Sequence, residues 1–291
     1  MIQIQNLTFT YGDQQPPVIR RLNLLIGEGE YLALIGPNGC GKTTLIRHCN
    51  ALLLPSGGEV VVDGLNTRNS KAWPEIRSRV GMIFQNPDNQ IVGMTVEEDV
   101  AFGPGNLGLP SPEVRRRVDH ALAMVGLTGL AGRLPHTLSG GQKQLLAIAG
   151  LLAMEPKYIV LDEPIASLDP AGKESMLELL QNLHSRGIGI IHVTHSMEEA
   201  ARAGRVLVMD KGELVADGPP ADVLSRVEWL ASLGLAPARI TALMWRLQQL
   251  GENVNSRIFT VDQAVAELSA WMTEIRADAG MGEAGKGQGH V

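Results

Sequence analysis

Apolar and polar positions trade places along this chain at the periods of strands and helices. Ile2, Ile4, Leu7 and Phe9 punctuate the start as a strand does, and Val18 to Ile26 forms a second such run. Gly27-Glu28-Gly29-Glu30 turns the chain into Tyr31-Leu32-Ala33-Leu34-Ile35, an unbroken apolar run that predicts a buried strand. A helix is expected next, to about Leu54, before the Pro55-Ser56-Gly57-Gly58 loop. Glu59 to Val62 and Val80 to Phe84 read as further strands, the second ending at Gln85 in a polar, turn-rich stretch. From Val96 to about Met154 the pattern is mostly helical, with helices predicted over Val114 to Val125 and Lys143 to Met154. Strands return at Tyr158 to Glu163 and Gly189 to Thr194, around a helix from Ala171 to Arg186. Arg205 to Met209 and Glu213 to Ala216 form a hairpin around Lys211-Gly212, and Gly218-Pro219-Pro220 marks a boundary. Beyond it Leu230, Leu233, Ile240, Leu243, Leu247 and Leu250 recur at helical spacing, with Trp229, Trp245 and Trp271 as core or dimer-packing residues. Strands alternating with helices define an α/β protein with a small helical appendage, and no solenoid-length repeat is visible.

Composition narrows the class. The 291 residues are 44% hydrophobic, enough for a substantial core. The net charge of −6 argues against broad nucleic-acid binding, and Arg115-Arg116-Arg117 reads as a solvated helix face. The two cysteines, Cys40 and Cys49, offer neither a disulfide framework nor metal-ligand spacing, which suits a reducing cytosol. Met1 to Gln5 does not resemble a signal peptide, and no window approaches the ~20 apolar residues that span a bilayer. Any membrane role would then need docking on another chain.

The candidate chemistry centres on Gly36-Pro37-Asn38-Gly39-Cys40-Gly41-Lys42-Thr43-Thr44, between the third strand and a helix. Strand, glycine-rich turn, Lys-Thr and helix make a phosphate cradle. Glycines let backbone N–H groups converge, the helix N-terminus adds partial positive charge, Lys42 reaches the β- and γ-phosphates, and the Thr43 hydroxyl can ligate Mg²⁺. Downstream, the strand ending at Asp162-Glu163 delivers two carboxylates where ligand sites of open sheets lie. Asp162 is placed to hold Mg²⁺ through water and Glu163 to orient or deprotonate an attacking water. His195 sits at the end of the next strand, as a γ-phosphate sensor would. Tyr11 is a candidate for stacking on adenine, although packing is the commoner role for such a tyrosine. Ser139 stands where a helix cap would, yet Gly140 and Gly141 after it make poor helix and leave N–H groups open to an anion.

Together these residues resemble an ATP-binding cassette (ABC) ATPase over about residues 1–218. The resemblance rests on the phosphate loop, Gln85, Leu138-Ser139-Gly140-Gly141-Gln142, the acidic strand with Glu163, the turn Ser167-Leu168-Asp169, and His195. It implies a phosphate-loop NTPase cassette with a mixed sheet core, an antiparallel N-terminal subdomain and a helical subdomain inserted at about 86–155. It further implies a C-terminal helical dimerisation domain over 219–275 and a disordered tail over 276–291. ATP and Mg²⁺ are the implied ligands. Thr43, Gln85 and Asp162 would serve the metal, and Glu163, His195, Gln85 and Lys42 catalysis. Residues Gly36 to Thr44 with Tyr11 would bind nucleotide from one subunit. Ser139, Gly140, Gly141 and Gln142 would complete the site from a second, identical or paralogous subunit.

Gln85-Asn86-Pro87-Asp88-Asn89-Gln90, the stretch from Thr95 to Gly103, and Trp229 to Leu235 look more specifically like the ATPases of energy-coupling-factor (ECF) importers, which take up vitamins or transition-metal ions. That likeness implies a transmembrane coupling protein and a substrate-binding membrane protein as partners, no nucleic acid, and a peripheral place on the cytoplasmic face of the cell membrane. The alternatives are an ATPase of another ABC importer, or a soluble ABC ATPase acting on DNA or ribosomes. The latter usually carries a coiled coil or a second cassette, and this chain has no heptad insert between 44 and 138.

Overall fold

The structure is a computed structural model that describes residues 1–12, 14–165 and 168–284, with side chains as far as residue 273. Ser167 of the expected turn therefore lies outside the described residues. The chain opens with β1 (Ile2–Phe9), β2 (Ile19–Ile26), β3 (Tyr31–Ile35) and a short helix, α1 (Lys42–His48). β4 (Gly57–Val62) and β5 (Leu65–Asn66) follow, joined by Asp63 and Gly64, both at positive φ as a tight two-residue turn requires. After α2 (Trp73–Arg79) and β6 (Val80–Ile83) come three helices, α3 (Val96–Asn106), α4 (Ser111–Met124) and α5 (Gly140–Leu152). The chain then runs through β7 (Tyr158–Asp162), α6 (Pro170–Ser185), β8 (Gly189–Val193), α7 (Met197–Ala200), β9 (Arg205–Asp210) and β10 (Glu213–Gly218). It finishes in α8 (Pro220–Val223), α9 (Val227–Ser232), α10 (Arg239–Gln249) and α11 (Val261–Ala284).

Two sheets carry the fold. One is antiparallel in the order β2-β1-β4-β5, and the other has the order β10-β9-β3-β8-β7-β6. In the second, β9, β3, β8, β7 and β6 pair in parallel and only β10 is antiparallel, which makes the sheet mixed. The central strands are buried on both faces, and this is why they read as continuous apolar runs. Leu32, Leu34, Val160, Ile191 and Leu207 face the antiparallel sheet and join its core, with Ile2, Leu7, Ile19 and Val60. Tyr31, Ala33, Ile35, Ile159, Leu161 and Val208 face the other way, into a core shared with α3, α4, α5 and α6. Each fully buried Leu or Ile in these layers stabilises the fold by roughly 2 kcal/mol.

Several boundaries differ from the pattern. The first helix stops at His48 instead of running to Leu54. Ala51 adopts φ 56°, and the Leu52 N–H folds back to the Arg47 carbonyl at 3.0 Å, a left-handed cap without the usual glycine. α5 begins at Gly140, three residues ahead of Lys143, because Ser139 and Gln142 form a reciprocal capping box. The arginine run is only partly solvated. Arg117 is mostly buried against Glu113 and Glu155, while Arg115 and Arg116 stay exposed. α11 continues through Gly280 to Ala284, into the stretch expected to be disordered, and residues 285–291 lie outside the described residues.

Beyond β10 the chain does not leave the main body. Leu230, Leu235, Ala238 and Phe259 belong to the large helical core, and Trp229 packs against it. A separate small core of Met244, Val254, Ile258 and Ala264 lies between α10 and α11, with Trp271 against it. The edge strand β6 is closed by a side chain, since Gln90 accepts the Phe84 N–H at 2.9 Å and donates to the Met82 carbonyl at 2.9 Å.

The β9–β10 hairpin turns through Lys211 at φ 46° and Gly212 at φ 85°. A Cβ on Gly212 would lie 2.3 Å from the Val18 carbonyl, and the Gly212 N–H reaches the Cys40 carbonyl in the phosphate loop at 3.0 Å. Gly212→Ala is therefore expected to destabilise the protein by about 2 kcal/mol or more, measured by denaturant unfolding.

Candidate functional site

The phosphate loop leaves β3 at Ile35 and enters α1 at Lys42. Gly36 is packed so tightly that a Cβ would lie 2.3 Å from the Met209 carbonyl. Gly39 at φ 77° and Gly41 at φ 111° adopt backbone that side-chain-bearing residues avoid. The N–H groups of Lys42, Thr43 and Thr44 open α1 and have no partner within the helix, so they point at the loop mouth. A cleft of ≈ 360 Å³ lies there, lined by Tyr11, Val18, Asn38, Gly39, Gly41, Lys42, Thr43, Thr44 and Glu163. Lys42 is buried, and its ammonium donates to the Gly36 carbonyl at 2.7 Å and the Pro37 carbonyl at 3.1 Å. Cys40 is also buried in the loop, which pushes its thiol upward in pKa and keeps it unreactive.

The two carboxylates do different things. Asp162 ends β7 and accepts from the Thr43 hydroxyl at 3.2 Å. Burial pushes its pKa up, against the pull of the Thr43 hydrogen bond. A hydroxyl and a carboxylate at the phosphate mouth are hard oxygen ligands, the donor set that suits Mg²⁺. Glu163 turns off the strand at φ 53°, a strained value for glutamate, while its N–H donates to the Val193 carbonyl at 3.0 Å. The turn puts its side chain between two partners. His195 Nε2 lies 2.5 Å from Oε1, and Gln85 Nε2 donates to Oε2 at 3.3 Å. Gln85 thus meets the carboxylate at the strand end, and its hydrogen bond does not go to the Thr43–Asp162 pair.

Tyr11 stands at the rim. Its hydroxyl is 3.0 Å from Thr44 Oγ1, its ring meets Phe9 edge-on, and the residue is 54% exposed. Ser139 and Gly140 are exposed at the start of α5, with Gly141 and Gln142 next to them, and none of the four lines the cleft. Pro87, Asp88 and Asn89 form a single helical turn whose Asp88 carboxylate binds Lys143 Nζ at 2.6 Å. That pair ties the stretch after Gln85 to the helix that Ser139 caps.

Beside the site, Glu163 and His195 share a cavity with residues that no sequence motif announced. This cavity of ≈ 280 Å³ is lined by Glu163, Lys173, Thr194, His195, Ser196 and Glu199. Behind it His192 is fully buried, which lowers its pKa to about 4 and keeps the ring neutral. Its only sequence signal is a polar residue in an apolar strand.

Comparison with known proteins places this geometry. The family model described as ABC transporter matches residues 19–166. The cobalt import ATP-binding protein CbiO of Syntrophus aciditrophicus is 52% identical over 93% of this chain and 97% of its own length. An energy-coupling factor transporter ATP-binding protein, EcfA1 of Clostridium perfringens, is 47% identical over 92% of the chain and 97% of its own. Among solved structures, CbiO1 from Clostridium perfringens, part of the ABC transporter complex CbiONQ, superposes with a TM-score of 0.73 at 37% identity, covering 84% of this chain and 98% of that one. The dimeric cassette MJ0796, bound to ADP and phosphate after hydrolysis, gives 0.68 at 31% identity over 76% of this chain and 99% of that one. With the phosphate loop, the acidic strand end and the capped signature helix all in place, the chain belongs to the ABC transporter family as one of its ATP-binding ATPases.

Proposed function

We propose that this protein is the ATP-hydrolysing motor subunit of an ECF-type importer, working at the cytoplasmic face of a membrane. The carrying observation is a phosphate cleft that ends at Glu163 with both of its carboxylate oxygens engaged by side chains from two other strand ends. The names and near full-length coverage of the CbiO and EcfA1 relatives support the importer assignment. Among the described residues no helix is long and apolar enough to cross a membrane, so the transmembrane path belongs to partner chains.

In this reading the α1 N–H groups and Lys42 bind the β- and γ-phosphates, and Tyr11 meets the adenine ring. Thr43 and Asp162 would hold Mg²⁺, with Gln85 joining them once its amide leaves Glu163, and the ion would neutralise charge on the phosphate oxygens. Glu163 orients the attacking water and takes up its proton, and His195 moves from Glu163 to the γ-phosphate. Arrival of a triphosphate exchanges the carbonyl partners of Lys42 for phosphate oxygens, a stronger charge-assisted contact. Ser139, Gly140, Gly141 and Gln142 act on the nucleotide of a second subunit, a copy of this chain or a paralogue, since they stand away from their own cleft. The dimeric state of the MJ0796 cassette supports that arrangement. Residues 219–275 add to the dimer contact, where Leu243 on α10, Leu250 just past its end, and Val261 and Val265 on α11 are exposed.

The membrane partner docks beside Asp88. A groove of ≈ 460 Å³ there is lined by Asp88, Ile91, Met94, Leu134, Pro135 and His136, with Lys143 at its side. Met94 is 78% exposed, and its loop is held by Asp99, which accepts the Val92 and Gly93 N–H groups at 2.7 and 2.8 Å. An apolar floor with one acidic group suits an amphipathic helix carrying a cation.

Three outcomes test the proposal. Glu163→Gln is expected to lower ATP turnover about a hundred-fold or more while still binding ATP and trapping a closed dimer, read by steady-state hydrolysis and size-exclusion chromatography. Turnover at the parent rate would remove Glu163 from its role. Lys42→Ala should instead weaken ATP binding itself, by about ten-fold or more in a direct titration. Asp88→Arg should lower transport by the reconstituted importer while ATP affinity stays within about two-fold, and unaltered transport would count against the docking groove.

A further inference from the structure

The reading above assigns His195 a part in hydrolysis but leaves open what holds it over Glu163. β8 ends at Val193, so His195 sits on irregular backbone whose two neighbours are both tied down. The Thr194 hydroxyl donates to Glu199 Oε2 at 2.5 Å and accepts the Ser196 N–H at 3.0 Å. The Ser196 hydroxyl accepts the Glu199 N–H at 3.2 Å, closing the loop back onto α7. The same Glu199 oxygen lies 3.5 Å from His192 Nε2, and His192 Nδ1 lies 3.4 Å from the Tyr31 hydroxyl on β3. One carboxylate and its own N–H therefore tie both flanks of His195 to α7.

The choice of residue is informative. Glu199 is only 8% exposed, and burial pushes its pKa above the usual range. Burying a carboxyl group is costly, and an apolar side chain would fill a purely structural position at lower cost. Glu199 also lines the cavity shared by Glu163 and His195. We propose that Glu199 is a positioning residue for hydrolysis, which fixes the backbone that carries His195 by holding the Thr194 hydroxyl and leaves the ring free to turn from Glu163 to the γ-phosphate. It touches no reacting atom. Its role rests on the assignment of His195 in the reading above.

The test is steady-state hydrolysis and ATP titration on the full-length chain reconstituted with its membrane partners. Glu199→Ala is expected to lower kcat about ten-fold with ATP affinity within about two-fold, because the phosphate cradle is untouched. Glu199→Gln keeps an acceptor for Thr194 and should restore most of the rate. Thr194→Val removes the same hydrogen bond from the other side, and the Glu199→Ala/Thr194→Val double variant should be no slower than the slower single one. Losses that multiply in the double variant, or ATP affinity falling in step with kcat, would overturn the proposal. If Glu199→Ala does not fold, Thr194→Val decides alone, and a parent kcat in that variant overturns it. His195→Ala is measured alongside. A parent rate there sinks the role of His195 itself, whereas a slow His195→Ala beside a fast Thr194→Val sinks only the role of Glu199.

Discussion

The parallel hydrogen bonding of β3, β8 and β7 sets the geometry on which the rest of the molecule depends. Leu34 pairs with Val193, and Val193 pairs with Asp162, so the three strands reach the same edge at one level. The phosphate loop begins two residues beyond Leu34, Glu163 follows Asp162 directly, and His195 stands two residues beyond Val193. A shift of one residue in any of these pairings would turn the side chains at that edge to the opposite face. The chemistry therefore depends on sheet register, and the register depends on the two cores that clamp the sheet from both sides.

Those cores divide the labour. The antiparallel sheet braces the side of α1 and the phosphate loop, through Leu45, Ile46 and Cys40. The helical core on the other face carries α5, and with it Ser139. The Asp88–Lys143 pair spans from the loop after β6 to the first turn of α5 and so ties the rim of the groove near Met94 to the helix that Ser139 caps. Exposed ion pairs are individually weak, so this pair adds little to the stability of the fold.

Much of this was legible in the residues alone. The phosphate loop, the Asp162-Glu163 strand end, and the Lys211-Gly212 hairpin each carry glycines or charges that make sense in one backbone context only. The end of α1 was hidden because Leu52, Leu53 and Leu54 extend the apolar pattern, while the residue that stops the helix is an alanine in a left-handed conformation. The start of α5 was hidden because Gly140 and Gly141 look like breakers, and only the Ser139–Gln142 cap makes them a first turn. Gln85 is visible as a strand-end polar residue, but its meeting with Glu163 depends on β6 and β7 lying side by side. Glu199 was the least visible of all. In Met197-Glu198-Glu199-Ala200 it reads as an ordinary surface acid, and only the packing of α7 against β3 buries it.

The return of the chain onto the helical core after β10 has a practical meaning. Leu230, Leu235, Ala238 and Phe259 fill space that the cassette does not fill for itself. A fragment cut at Gly218, where the strand pattern ends, would carry a raw apolar wound on its flank and invite self-association. The appendage and the ATPase are thus one inheritance: neither can be traded to another protein without repairing the surface left behind.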